Sequence, residues 1–169
     1  MRNSTIMMLA VLGAGLFVQQ PAQAQNPITI ELLGGPAEFT DRVALQVRNK
    51  FYGRGTDTVN LQDASNIVTA KVTLQPGAVF PWHTHPGPVL VTVVEGEFIY
   101  TLAADCLDRW YPAGTALIDI GFGNVHSAYN PSDSQETVVL ATFLGIPPGE
   151  APTTLVDGPD PNVCPLPTP

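Results

Sequence analysis

The sequence predicts an all-β protein, a small barrel or sandwich, on three observations. Short segments alternate apolar and polar side chains with the two-residue period of a strand that buries one face. Val68, Ala70, Val72 and Leu74, set against Thr69, Lys71 and Thr73, are the clearest case. Seventeen prolines and fifteen glycines punctuate the chain with turns, and no stretch beyond residue 24 carries the 3.6-residue period of a helix. At 169 residues, with 44% apolar and 13% charged side chains, the chain is long enough for one core and too apolar to remain disordered.

Residues 1–24 are set aside first, as an expected signal peptide. Arg2 supplies the positive start, Ile6 to Val18 is an apolar run of thirteen residues, and Ala22-Gln23-Ala24 has the small-x-small pattern of a cleavage site. The run is short for a bilayer span, and no cysteine follows it to carry a lipid, so no stable membrane anchor is expected. An uncleaved anchor or a buried strand is the alternative. Cleavage would place the mature end at Gln25 and the protein in the periplasm or outside the cell. It would leave six basic against fifteen acidic residues, a net charge of −9. Without any Lys/Arg cluster, that acidity excludes a nucleic-acid partner or an anionic membrane surface.

The remaining elements follow in order. Residues 25–65 read as N-terminal strands and a loop: Ile28 to Leu33 is a strand ended by Gly34-Gly35-Pro36, Val43 to Val47 a second, and Phe51 to Ser65 a long loop. Residues 66–145 read as the barrel. Its strands are Val68 to Leu74, the stretch holding His83 and His85, Val89 to Val94, and Phe98 to Leu102, then a strand end at Trp110-Tyr111, Ala116 to Ile120, Val125 to Asn130 and Thr137 to Leu144. Val89 to Val94 is almost continuously apolar and is expected to be buried on both sides. Glu95-Gly96-Glu97 turns the chain into a hairpin. About nine strands are expected, with exposed edges that suggest a homodimer. Residues 146–169 form a proline-rich tail.

Two cysteines, Cys106 and Cys164, make an even count. In an oxidising compartment they are expected to form a disulfide, worth ~4 kcal/mol for so long a loop in the chain-entropy account; two free thiols are the alternative. Their spacing fits neither a zinc ligand pair nor a redox Cys-x-x-Cys motif.

The chemistry centres on histidine. His83 and His85 stand one residue apart in strand-like sequence, so their side chains look the same way. His126, the third and last histidine of the chain, lies in a second strand-like stretch. Two imidazoles on one face are half of a metal site, and a third within reach would complete a binding set.

At these residues the sequence resembles the cupin superfamily. Gly77, His83, His85 and Gly96 stand at the spacing of the first cupin motif, and Pro112, Gly114, His126 and Asn130 follow the second. Two departures stand out. The motif glutamate should fall at position 89 or 90, where Val89 and Leu90 are apolar, and Thr115 to Val125 lengthen the gap before His126. The resemblance implies a cupin-type double-stranded β-helix, or jelly-roll barrel, with His83, His85 and His126 holding one divalent transition metal. Iron, manganese, zinc, nickel and copper all remain open.

The functional expectation is an exported metal-binding cupin-domain protein whose ligand or substrate is a small molecule. One reading is a dioxygenase, a second a non-catalytic binder or sensor, and a third a Lewis-acid isomerase or hydrolase. No catalytic residue is assigned: Glu95 and Glu97 read as a solvated hairpin, and no buried Asp-His pair is visible to serve as a general base. Asn130 reads as a turn stabiliser. Trp82 and Thr84 should face away from the histidines, while Phe98, Tyr100, Phe122 and Phe143 either line a pocket or fill the core.

Overall fold

The structure is a computed structural model and describes residues 27–166. The expected signal peptide lies outside the described residues. Within them are twelve strands and no helix: β1 (Ile28–Glu38), β2 (Leu45–Lys50), β3 (Thr56–Leu61), β4 (Asn66–Leu74), β5 (Val79–Thr84), β6 (Val89–Glu95), β7 (Glu97–Leu102), β8 (Asp108–Pro112), β9 (Ala116–Asp119), β10 (His126–Tyr129), β11 (Thr137–Leu144) and β12 (Thr154–Leu155). Two five-stranded antiparallel sheets, in the orders β1-β4-β11-β6-β9 and β12-β5-β10-β7-β8, enclose one core. β2 and β3 form a separate ribbon. This is the expected all-β double-stranded helix.

Alternation explains how the sheets close on each other. From β4, Val72 and Leu74 point inward with Val139 of β11 and Val93 of β6, and they meet Phe98, Tyr100 and Leu102 of β7 from the opposite sheet. A second cluster, including Ala70, Val89, Ala141 and Phe143, lies beside it. Each fully buried large side chain among these is worth about 1.5–3 kcal/mol over its exposed state, so the inward parity of β4, β6, β7 and β11 holds the barrel together.

The structure corrects four expectations. β1 does not end at Gly34-Gly35-Pro36; it runs on to Glu38 through two register shifts against β4. Bulges absorb a proline on an edge strand, where the missing N–H costs no ladder bond. Gly35 is needed there, because a side chain would meet the Ile67 carbonyl and its φ is +97°. The loop expected over 51–65 contains β3, paired with β2 from Leu45↔Leu61 to Lys50↔Thr56. Thr-Asp-Thr-Val-Asn-Leu hid its strand character because the two-stranded ribbon buries little more than Leu61. β6 is not buried on both sides: Val89 and Val93 are inside, but Leu90 and Val94 are 46% and 44% exposed. Its outer face has no covering layer, so apolar continuity misled where parity decided. Finally, the tail is more than an extended segment, since β12 adds to β5.

Cys106 and Cys164 form a disulfide, with their Cα atoms 5.2 Å apart. It ties the end of the tail to the turn after β7.

Candidate metal centre

The centre is built where β5 and β10 pair. His126 opens β10 directly opposite His83, and His85 follows one residue beyond the end of β5. All three are buried. Their ring centroids lie 4.1 Å (His83–His126), 4.9 Å (His83–His85) and 5.1 Å (His85–His126) apart, and one nitrogen from each falls within 4.8 Å of the others. The loop between β9 and β10 closes over His85: Phe122 donates its N–H to the His85 carbonyl at 3.0 Å. That approach needs glycine, because a Cβ on Gly121 (φ +65°) would strike the Gly87 carbonyl.

Hydrogen bonds choose which nitrogen faces the centre. His83 Nδ1 is 2.7 Å from the Pro81 carbonyl, and His85 Nδ1 is 2.7 Å from the Pro152 carbonyl. His126 Nδ1 is 3.0 Å from the Asn124 carbonyl and 2.7 Å from Asp119 Oδ2. Carbonyls and carboxylates only accept, so each Nδ1 carries the hydrogen and donates. The three Nε2 lone pairs are left for a metal, the usual arrangement behind metal-ligating imidazoles. Three neutral nitrogen donors fit a divalent transition ion and would leave coordination positions open.

Asp119 is the residue that sequence reasoning missed. It is buried, and the Asp-His pair not seen in the sequence exists. Asp119 Oδ2 takes the Tyr100 hydroxyl at 3.2 Å as well as His126, while Oδ1 takes the Gly121 N–H at 2.6 Å and Asn124 Nδ2 at 3.2 Å. It also stands directly across the sheet from Val89, one of the two positions where the motif glutamate would fall. Its carboxylate stands one strand over from that position and supports His126 through Nδ1. An aspartate in the apolar run Ala-Leu-Ile-Asp-Ile was the available signal. The centre therefore has one buried negative charge beside it, where the sequence suggested none.

The remaining expectations sort plainly. Glu95 and Glu97 are exposed. Phe98, Tyr100 and Phe143 line the cavity at the centre, but Phe122 is exposed. Asn130 is a buried turn stabiliser, bonded to the carbonyls of Leu74, Gln75 and Gln135. Pro112 and Gly114 lie at the turn between β8 and β9; the segment that delivers His126 is Gly121 to Asn124. Trp82 is covered by the chain's own tail, which packs Gly158 against its ring.

Burial disfavours the charged form of both β5-side histidines. It holds His85 down to about 4, helped by His126 nearby, and drives His83 lower still, with His126 and His85 adding to the effect. Burial alone would raise Asp119, but His126 beside it outweighs that and keeps the carboxyl below its usual range. For His83 and His85 the linkage sign is definite. Between 6.5 and about 4 the unfolded His85 binds a proton and the folded one does not, so stability falls as pH falls through that window. Chelator-treated protein should therefore melt at a lower temperature at pH 5 than at pH 7. An unchanged midpoint would contradict the buried neutral imidazoles.

The sequence profile of the family described as "Cupin domain" matches residues 70–143, the span that contains all three histidines and most of the residues that line the cavity. Residues 70–143 of the chain form a cupin domain. Among solved structures, this cupin is similar to an uncharacterized conserved protein with a double-stranded beta-helix domain from Klebsiella pneumoniae, at 25% identity over 53% of this chain and 70% of that one, with a TM-score of 0.44. It is also similar to KdgF from Halomonas sp. (15% identity, 72% and 82% covered, TM-score 0.47) and to an RmlC-like cupin from Shewanella frigidimarina (17%, 75% and 83%, TM-score 0.46). No curated protein sequence matches the chain.

Proposed function

We propose that this cupin is an exported protein that binds one divalent transition metal through His83, His85 and His126 and acts on a small organic molecule as a metal-dependent oxygenase. The observation that carries the reading is three buried imidazoles with one nitrogen each within 4.8 Å of the others, each with its Nδ1 hydrogen committed, lining an apolar cavity of about 110 Å³. That volume suits a molecule near the size of a benzene ring. Besides the histidines, the cavity walls are Val, Leu, Ile, Ala and Phe side chains with Pro152 and Thr153, and Tyr100 and Asp119 are the other ionisable groups. Asp119 already receives four donors, so it is not free to take a proton from a substrate. This argues against Lewis-acid isomerisation or hydrolysis, which needs a general base. Oxygenase chemistry asks less of the walls, because a substrate that ligates iron through its own oxygen or sulfur supplies the electrons for dioxygen. The buried disulfide is compatible with an oxidising compartment.

The saturation of Asp119 equally suits a second reading, a non-catalytic binder of a small molecule or metal. Metal analysis of protein taken from its native location without added metal separates the two. Iron, with oxygen uptake on one member of a panel of phenols, diketones and thiols, is the expected result. Zinc with no oxygen consumption on any of them rejects the oxygenase and leaves the binder.

A further inference from the structure

The three histidines are not supported alike. The Nδ1 nitrogens of His83 and His126 face carbonyls two residues back, Pro81 and Asn124, and His126 has in addition the Asp119 carboxylate of the same cupin span at 2.7 Å. The two carbonyl bonds come with the local strand geometry. His85 is different, because its acceptor is Pro152, 67 residues further along. Pro152 lies beyond the matched cupin span, in the tail.

That tail is fastened at several points. Thr153 Oγ1 lies 3.4 Å from His85 Nδ1. β12 pairs with β5 in the register Thr154↔Thr84 and Leu155↔His83, and the Val156 N–H donates to the Trp82 carbonyl at 3.1 Å. Gly158 lies so close to the Trp82 indole that a Cβ there would sit 1.9 Å from its Cδ1. Cys164, buried, is bonded to Cys106. Pro152 also lines both the cavity at the centre and the groove outside it, a position shared with Leu32 of β1. The tail therefore touches the centre and lines the neighbouring groove at once.

We propose that residues 152–164 form a strap that is a working part of the metal centre, with Pro152 a positioning residue for His85 and the Trp82–Gly158 contact and the Cys106–Cys164 disulfide holding it in place. The proposal rests on the reading that the three histidines bind a metal. Physically, an imidazole whose Nδ1 hydrogen has lost its acceptor can rotate and exchange tautomers, so its Nε2 is no longer held toward the ion. Partners of this kind are worth 10- to 100-fold in metal affinity. The cupin span supplies three nitrogens but orients only two of them.

Cobalt(II) is the probe, because its visible absorption reports ligand number and geometry without any assay of activity. Gly158→Val places a side chain against Trp82 and pushes the strap off β5 without touching a ligand or the disulfide. Cys106→Ser/Cys164→Ser unties the far end. Both variants should bind cobalt about 10- to 100-fold more weakly in chelator competition, with a changed visible spectrum at saturation, while Glu97→Ala matches the parent. If the double serine variant fails to fold by circular dichroism, Gly158→Val decides. A parent protein that binds cobalt while folded Gly158→Val keeps the same affinity and spectrum overturns the strap and leaves the three-histidine reading standing. A parent that binds no cobalt removes both.

Discussion

Replacing His85 by alanine should weaken binding of a divalent transition metal by more than about a hundredfold, and Glu97→Ala should leave it unchanged. The lower bound comes from the partners behind metal ligands, whose loss alone costs up to about a hundredfold; loss of a donor atom costs more. His85 is the cleanest of the three to remove. Its Nδ1 partner is an uncharged backbone carbonyl, whereas removing His126 would also strip a close partner from the buried Asp119. Glu97 is the informative control because it is a carboxylate close in sequence to the motif position, yet it is exposed at the β6–β7 turn. Metal content per chain after dialysis against a chelator, with competition titration, reads both effects. Equal loss in the two variants would mean that a carboxylate completes the site, and full retention in His85→Ala would place the metal elsewhere.

Asn130→Ala should destabilise the fold by about 3–5 kcal/mol while sparing metal affinity. The side chain is fully buried at the end of β10. Its Nδ2 faces the carbonyls of Leu74 (3.1 Å), Gln75 (3.2 Å) and Gln135 (2.7 Å), and its Oδ1 accepts the Ser132 N–H at 3.0 Å. Two hydrogens are thus shared among three acceptors, and one amide joins the end of β4 to the turn before β11. Alanine would leave these backbone groups short of partners in a space too closed for easy hydration. Each orphaned group costs about 1–3 kcal/mol, and not all are fully orphaned, hence the range. In a domain of this size the thermal midpoint should drop by roughly 10 °C or more. Asn130→Asp keeps the shape but removes the donor, and should be no more stable than alanine. A midpoint within a degree or two of the parent would show that the turn holds without this amide.

The strands that were plain in the sequence are those whose two faces meet different surroundings. Val68 to Leu74 alternates because one face meets the core and the other does not, and it stands in the structure within β4; Thr137 to Leu144, also expected as a strand, stands as β11 with the same ends. The same parity argument paired His83 with His85. β3 and β12 escaped notice because neither buries enough to need apolar side chains; each exists because a partner strand offers a free edge. β6 was misjudged for the opposite reason, since Leu90 and Val94 are apolar residues that the sheet leaves exposed.

By itself the sequence determined the fold class, the cupin pattern and which three histidines the fold brings together, because those depend on spacing within single strands and on residue type. It could not decide what stands behind each donor. His83 and His126 take carbonyls two residues away, but Asp119 reaches His126 from the edge strand of the opposite sheet, and Pro152 reaches His85 from a segment fastened by a disulfide between cysteines 58 residues apart. Such partners are set by strand order and chain closure rather than by local conformation. No period in the sequence marks them, so only the tertiary structure decided which carboxylate and which carbonyl hold the imidazoles in place.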